Sequence, residues 1–207
     1  MKSTKENRVR IGIAGYMGSG KSSCASLFCY PQVQIIDGDV EAKKLMQSDS
    51  RIQTALISAF GEIKDETGIR FDKLAEISFK SLDSIKILNG IVHPELVKHL
   101  RSMILSCSRP VCILDAALIP LWKIESWFDL CIWIDECAET RFSRLKMKRN
   151  DLADFELKRR IELQEQLFSV PQEKTWIKLG SGECGEYVRN YLQEHHQDLA
   201  VAGGSTK

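Results

Sequence analysis

Long hydrophobic runs are missing from this chain. No stretch of its 207 residues is apolar for long enough to span a bilayer, and the run after the polar start, which lasts to Arg8, is too short for a signal-peptide core. The expectation is a cytoplasmic protein without a membrane partner. Net charge is nearly absent too, at +1, and no long block of one sign occurs, so the sequence offers no surface that would gather nucleic acid by bulk electrostatics. Paired-cysteine spacing is lacking: the seven cysteines are odd in number, show no C-x-x-C, and several sit inside apolar runs, which reads as reduced, mostly buried thiols. There is no histidine pair at metal-binding spacing, no internal repeat and no low-complexity segment. The length suits one compact α/β unit with at most a small insertion, and nothing in the sequence sets an oligomeric state.

What is present begins with Gly15-Tyr16-Met17-Gly18-Ser19-Gly20-Lys21-Ser22, which fits the phosphate-loop pattern G-x-x-x-x-G-K-[ST] at every fixed position. Its context is right: Val9 to Ala14 is a short apolar run suited to a buried strand, and Ser22 to Phe28 can open a helix. Gly15, Gly18 and Gly20 allow a tight turn whose amides face an anion unobstructed, with Ser19 and Ser23 flanking it. Lys21 adds a full positive charge near the β- and γ-phosphates of a nucleotide, and Ser22 is the expected ligand of a magnesium ion. ATP and Mg2+ are therefore the expected cofactors.

A second strand, Val33 to Ile36, ends in Asp37-Gly38-Asp39. In an open parallel sheet that end faces the ligand crevice, where a carboxylate can take the proton of an attacking hydroxyl. Asp39 is assigned that catalytic role and Asp37 a place in the substrate site, although either also suits a cap for the helix beginning at Val40. From Val40 to about Ser106 the periodicity is helical, with a surface loop at Gly61 to Phe71, and the stretch exceeds what one crossover needs. It reads as a helical insertion, 40–106, covering the acceptor, between parts of a nucleotide-binding core at 1–39 and 107–207. Within it Pro94 marks a helix start or kink, placing His93 in extended backbone with reach toward substrate.

Two further apolar runs, Pro110 to Asp115 and Leu130 to Asp135, read as central parallel strands closed by an acid. Asp115 is the better carboxylate to orient a hydrated magnesium ion and Asp135 its competitor; capping is the alternative for both. Glu139 to Arg149 carries Arg141, Arg144, Lys146, Lys148 and Arg149, and with the Asn150-Asp151 turn forms a lid segment at about 139–151. Arg144, as a catalytic charge, and Arg149, as a nucleotide contact, are expected to close over the triphosphate, with less weight on Arg141. Asp154 to Phe168 is a charged helix, Trp176 to Leu179 a last strand, Gly185 to Gln193 a closing helix, and the tail from Gln197 is expected to fray. The fold class is thus α/β: a three-layer P-loop NTPase fold with a central parallel sheet, a helical substrate-binding insertion and a lid.

In this order of signals the chain resembles the dephospho-CoA kinases along most of its length. The matches are Gly18-Ser19-Gly20-Lys21-Ser22, Ile36-Asp37-Gly38-Asp39, Phe60-Gly61, His93-Pro94, and Arg160-Ile161 with Gln164. The resemblance implies transfer of the γ-phosphate of ATP to the ribose 3′-hydroxyl of dephospho-CoA, with magnesium. Asp39 would then deprotonate that hydroxyl, His93 would lie in the substrate-covering region, and Arg144 and Arg149 in the lid. The chain departs from the family pattern at Asp115-Ala116-Ala117-Leu118-Ile119-Pro120, where a proline-leucine-leucine run and an acid are usual, and at Tyr16, where a second glycine is common. The alternatives are another P-loop small-molecule or nucleotide kinase, or a nucleotide-binding switch; no Asn-Lys-x-Asp tetrad supports a GTPase.

Overall fold

The computed structural model describes residues 8–195; the expected fraying tail from Gln197 lies outside them. Strands β1 (Val9–Ala14), β2 (Val33–Asp37), β5 (Val111–Asp115), β6 (Leu130–Ile134) and β7 (Trp176–Leu179) form one sheet in the order β2-β5-β1-β6-β7. All four pairings are parallel. Parallel strands covered on both faces must be apolar nearly throughout, and β5 and β6 are buried at every position. The alternation sorts them between two cores. Ile11, Ile13, Val111, Ile113, Leu130 and Ile132 pack with Phe28, Val188 and Leu192, whereas Cys112, Leu114, Cys131 and Trp133 pack with Leu96, Leu100 and Ile104. These are the layers of a P-loop α/β fold.

Helix α1 (Lys21–Ser26) follows β1 directly, and α9 (Cys184–His195) closes the chain against the same face. The Cys24 and Cys184 side chains are joined as a disulfide between α1 and the start of α9. This corrects the reading of all seven cysteines as free thiols: the two partners are 160 residues apart, so no local spacing announces them.

Between β2 and β5 run α2 (Gly38–Ser48), α3 (Ser50–Phe60), α4 (Phe71–Ser78) and α5 (Leu82–Ser106). Two details differ from expectation. The 61–71 loop contains a two-residue antiparallel pair, β3 (Lys64–Asp65) with β4 (Gly68–Ile69), held by Gln47, which accepts from the Ile69 amide and donates to its carbonyl. And α5 runs through Pro94 without a break, so His93 is helical rather than extended. Proline removes one backbone bond and crowds the carbonyl four residues earlier, at Gly90, which carries no side chain and has open space around it. Burial of Val92, Leu96, Leu100 and Ile104 on one side of α5 holds the helix together across that gap.

After β5 comes the short α6 (Ile119–Trp122), and between β6 and β7 lie α7 (Ala138–Lys148) and α8 (Asp154–Leu167). The basic segment at 139–151 is therefore α7 and the turn after it.

Candidate active site

The loop between β1 and α1 turns through Gly15, Gly18 and Gly20, at φ of 150°, 77° and 101°. Space is as restrictive as backbone angle. A Cβ at Gly18 would lie 2.7 Å from the Arg141 carbonyl oxygen, and one at Gly15 2.7 Å from that of Ile134. The loop is thus wedged between β6 and α7. Ser19 is fully buried, its hydroxyl without a hydrogen-bond partner among the described residues.

Tyr16, the unusual loop residue, is a pillar. Its ring meets Trp133 edge-on at 5.0 Å and Phe168 at 5.2 Å, while its hydroxyl donates to the Phe168 carbonyl at 2.9 Å. The guanidinium of Arg141 stands over the same ring, 4.9 Å from its centroid. Arg141 is 2 % exposed and pairs with Glu165 of α8. The next loop residue is held as well, because the Met17 amide donates to the Gln164 side chain at 2.6 Å. Neither Tyr16 nor Arg141 was identified as a support by the sequence; both act through α8, which is distant in the chain.

Three cavities run in series outward from the loop. The first, ~460 Å3, is lined by Gly18, Gly20, Lys21, Ser22 and Ser23 on one wall and by Arg144, Lys148, Ser181 and Gly182 on the other. The second, ~340 Å3, shares Gly18, Lys21 and Ser22 with the first and adds Asp39, Asn89 and Gln164. The third, ~170 Å3, shares Asp39, Leu88, Asn89, Ala117 and Leu118 with the second and extends between α5 and α6 to His93 and Trp122. Lys21 and Ser22 therefore face two chambers, and Asp39 faces the next two.

The acids divide their roles by position. Asp37 is the N-cap of α2, its carboxylate accepting from the Asp39 and Val40 amides at 2.9 and 3.0 Å. That cap turns the chain so that Asp39, in the first helical turn, is exposed to the cavities. Asp115 lies opposite Asp37 in the sheet register and is 5 % exposed. Burial raises its pKa, offset by the Ser22 hydroxyl and by Lys21. Asp135 is exposed beyond β6. Burial likewise lowers the pKa of Lys21, opposed by Asp115, Asp39 and Asp37, and its ammonium donates to the Tyr16 carbonyl at 3.3 Å. The Ser22 hydroxyl and Asp115 carboxylate are the hard oxygen donors a magnesium ion takes. Among the described residues no cluster of three or more His, Cys, Asp and Glu side chains could hold a metal by itself. This donor set fits an ion carried by a triphosphate and held by few protein ligands.

Of the basic segment, Arg144 reaches the loop, donating to the Ser19 carbonyl at 2.9 Å and to the Ser181 hydroxyl at 3.0 Å, with Glu136 at 3.4 Å. Arg149 does not line these cavities; it is exposed and ion-paired with Asp151 at 2.9 Å. Lys148 lines the first cavity instead. The spacing held that signal, since Arg144 and Lys148 are four apart and share a helix face while Arg149 is turned from it. His93 does line the third cavity, its ring edge-on to Trp122 at 5.4 Å, and burial pushes its pKa down to about 4. It is a neutral wall rather than a cation for phosphate.

Comparison with known proteins bears on the family and the fold. The sequence model of the dephospho-CoA kinases matches residues 9–177. A dephospho-CoA kinase of Porphyromonas gingivalis is 28% identical over 84% of this chain and 83% of its own. One from Bacillus licheniformis is 33% identical over 76% of this chain and 80% of its own. A crystal structure of a Thermus thermophilus protein superposes with a TM-score of 0.63 at 25% identity, covering 91% of this chain and 98% of that one.

Proposed function

The chain belongs to the dephospho-CoA kinase family, and from that premise we propose how its own residues carry the reaction. The protein is an ATP-dependent kinase that phosphorylates dephospho-CoA on the ribose 3′-hydroxyl. The observation that carries the residue assignment is the series of cavities: Lys21 and Ser22 face the first and second, Asp39 the second and third. ATP occupies the first, its phosphates on the loop amides. The acceptor nucleoside occupies the third, and the two meet in the second.

Phosphoryl transfer asks little covalent chemistry of a protein; positioning and charge neutralisation dominate. The 3′-hydroxyl oxygen bonds to the γ-phosphorus as the bond to the β–γ bridging oxygen breaks, and Asp39 receives the hydroxyl proton. Lys21 neutralises charge on the transferred group and Arg144 holds the loop beneath it. Ser22 and Asp115 are the residues that would hold magnesium, whose chemistry is to offset charge on the phosphate oxygens. Residues 40–106 form the unit covering the acceptor, and 139–151 the lid over the nucleotide. Asp37 acts on substrate through its cap on α2, and His93 as a neutral wall. Arg149 comes into play on lid closure. Among the described residues no helix is long and apolar enough to cross a membrane; a cytoplasmic location, with neither nucleic acid nor membrane as partner, belongs to the proposal.

The test is a mass-resolved assay with ATP, magnesium and dephospho-CoA. The wild-type protein yields a product one phosphate heavier. Asp39→Asn lowers kcat by roughly 100- to 10,000-fold with ATP affinity retained. Normal turnover in that variant would remove Asp39 from the chemistry.

A further inference from the structure

The helix α5 presents one face to the acceptor cavities, and one residue on that face is out of place chemically. Ile85, Leu88, Asn89, Val92, His93 and Leu96 line the second and third cavities at the i, i+3, i+4, i+7, i+8, i+11 spacing of a single helical stripe. Asn89 sits within this otherwise apolar or aromatic row. Its side-chain amide nitrogen is buried and, among the described residues, donates to nothing. A buried amide N–H without a partner is a cost to folding, and a leucine or alanine would relieve it at no loss of helix propensity. On a cavity wall such a group is available to a ligand atom that completes it.

The position along α5 narrows what that ligand atom is. Five residues line both the second and third cavities, and only Asp39 and Asn89 among them are polar; Leu88, Ala117 and Leu118 are not. On the reading above, which this inference rests on, the reacting 3′-hydroxyl lies at Asp39, with the phosphoryl group on the Lys21 side and the base toward His93. His93 is one helical turn beyond Asn89, about 6 Å along the axis at about 1.5 Å per residue. The sugar lies at the junction, and the oxygen adjacent to the 3′-hydroxyl on the ribose ring is the 2′-hydroxyl. We propose that Asn89 is a specificity-determining binding residue for the acceptor, its amide N–H donating to the ribose 2′-hydroxyl oxygen, so that the site selects a ribonucleoside acceptor over a 2′-deoxyribonucleoside one.

The assignment bears on one departure of the chain from the family pattern. Ala116 and Ala117, in the stretch where a proline-leucine-leucine run followed by an acid is usual in the family, present no polar group to the sugar. Gly38 is packed against Ala116, whose Cβ would lie 2.8 Å from a Cβ at Gly38, so no side chain can be added at Gly38 without displacing that wall. The donor then comes from across the cavity, from α5.

The experiment is a cycle of enzyme and substrate. Steady-state kcat/KM is measured with dephospho-CoA and with its 2′-deoxyribose analogue, for the wild-type full chain, Asn89→Leu and Asn89→Ala. Wild type is expected to prefer the ribose substrate by roughly 10- to 100-fold, because the analogue leaves the amide unpaired. In both variants the preference collapses to within about threefold, through a raised KM for dephospho-CoA, while the KM for ATP moves less than about twofold. Asn89→Leu keeps the branching of the side chain and is expected to melt no lower than wild type, since it removes an unpaired buried amide. A variant that retains the wild-type preference overturns the inference and leaves the kinase assignment standing. The same holds for a wild type that accepts both substrates equally. A wild type inactive on dephospho-CoA under conditions where a known dephospho-CoA kinase works overturns the acceptor assignment, and this inference with it.

Discussion

Replacing Tyr16 by phenylalanine isolates one hydrogen bond in the support of the phosphate loop. The ring stays, so its contacts with Trp133 and Phe168 and with the Arg141 guanidinium are kept. What is lost is the 2.9 Å bond to the Phe168 carbonyl at the end of α8, in a residue 9 % exposed. Leaving a buried carbonyl without its donor costs about 1–3 kcal/mol. For a chain of this size, at about 2–4 °C per kcal/mol, the melting temperature should fall by roughly 2–12 °C. Tyr16→Ala goes further: truncating a buried aromatic costs about 3–5 kcal/mol and removes a cation–π contact of about 0.5–2 kcal/mol from Arg141. The two variants should also differ in function. With the ring in place, Gln164 still holds the Met17 amide and α7 still backs Gly18, so ATP binding by Tyr16→Phe stays within about threefold of wild type. Tyr16→Ala releases the loop from α8 and should weaken ATP binding by about tenfold or more. The assays are thermal unfolding without nucleotide and calorimetric titration with an ATP analogue. If Tyr16→Phe melts within about 1 °C of wild type yet loses tenfold in ATP affinity, the hydroxyl serves the nucleotide rather than the scaffold, and the reasoning fails.

Gly18→Ala combines a backbone angle of +77° with a Cβ 2.7 Å from the Arg141 carbonyl, so it should abolish ATP binding, read by the same titration, even where circular dichroism shows the fold retained. His93 makes stability depend on pH: its imidazole protonates near 4 in the native state against 6.5 when free, so below pH 6.5 the unfolded chain binds the extra proton. Stability from this group is complete above pH 6.5 and is lost as pH falls toward 4, by about 3 kcal/mol at most; denaturant titrations of wild type and His93→Phe across pH 4–7 should differ by that slope. Closing a loop of 160 residues, the Cys24–Cys184 bridge contributes at most about 5 kcal/mol through restriction of the unfolded chain. Cys184→Ser should therefore melt lower than wild type without reductant and match it with dithiothreitol.

The sheet was legible because its strands announce themselves locally. Val111 to Leu114 and Leu130 to Ile134 are apolar at consecutive positions, as central strands covered on both faces must be; Val9 to Ala14, Val33 to Ile36 and Trp176 to Leu179 are apolar but for Arg10, Gln34 and Lys178, and the loop pattern names its own chemistry. Helices were legible as segments, less so in their continuity: a proline in α5 reads as a stop unless the buried Leu96, Leu100 and Ile104 beyond it are known to share a face with Val92. The β3–β4 pair escaped notice because two-residue strands carry no periodicity and depend on Gln47 of α2, outside the loop itself.

By itself the sequence determined that a phosphate loop precedes a helix, that acids close the second and third strands of the sheet core, and that a helical stretch separates them; each follows from residue type and near-neighbour spacing. Only the tertiary structure decided which side chain meets which. It made Asp37 a cap and left Asp39 facing the cavities, turned Tyr16 into a pillar under α8, joined Cys24 to Cys184, brought Lys148 rather than Arg149 to the first cavity, and set an unpaired Asn89 amide beside Asp39. All but the Asp37 cap, which reaches only two and three residues along the chain, are contacts across tens of residues. They depend on how the sheet order folds the chain back on itself, which no local pattern encodes.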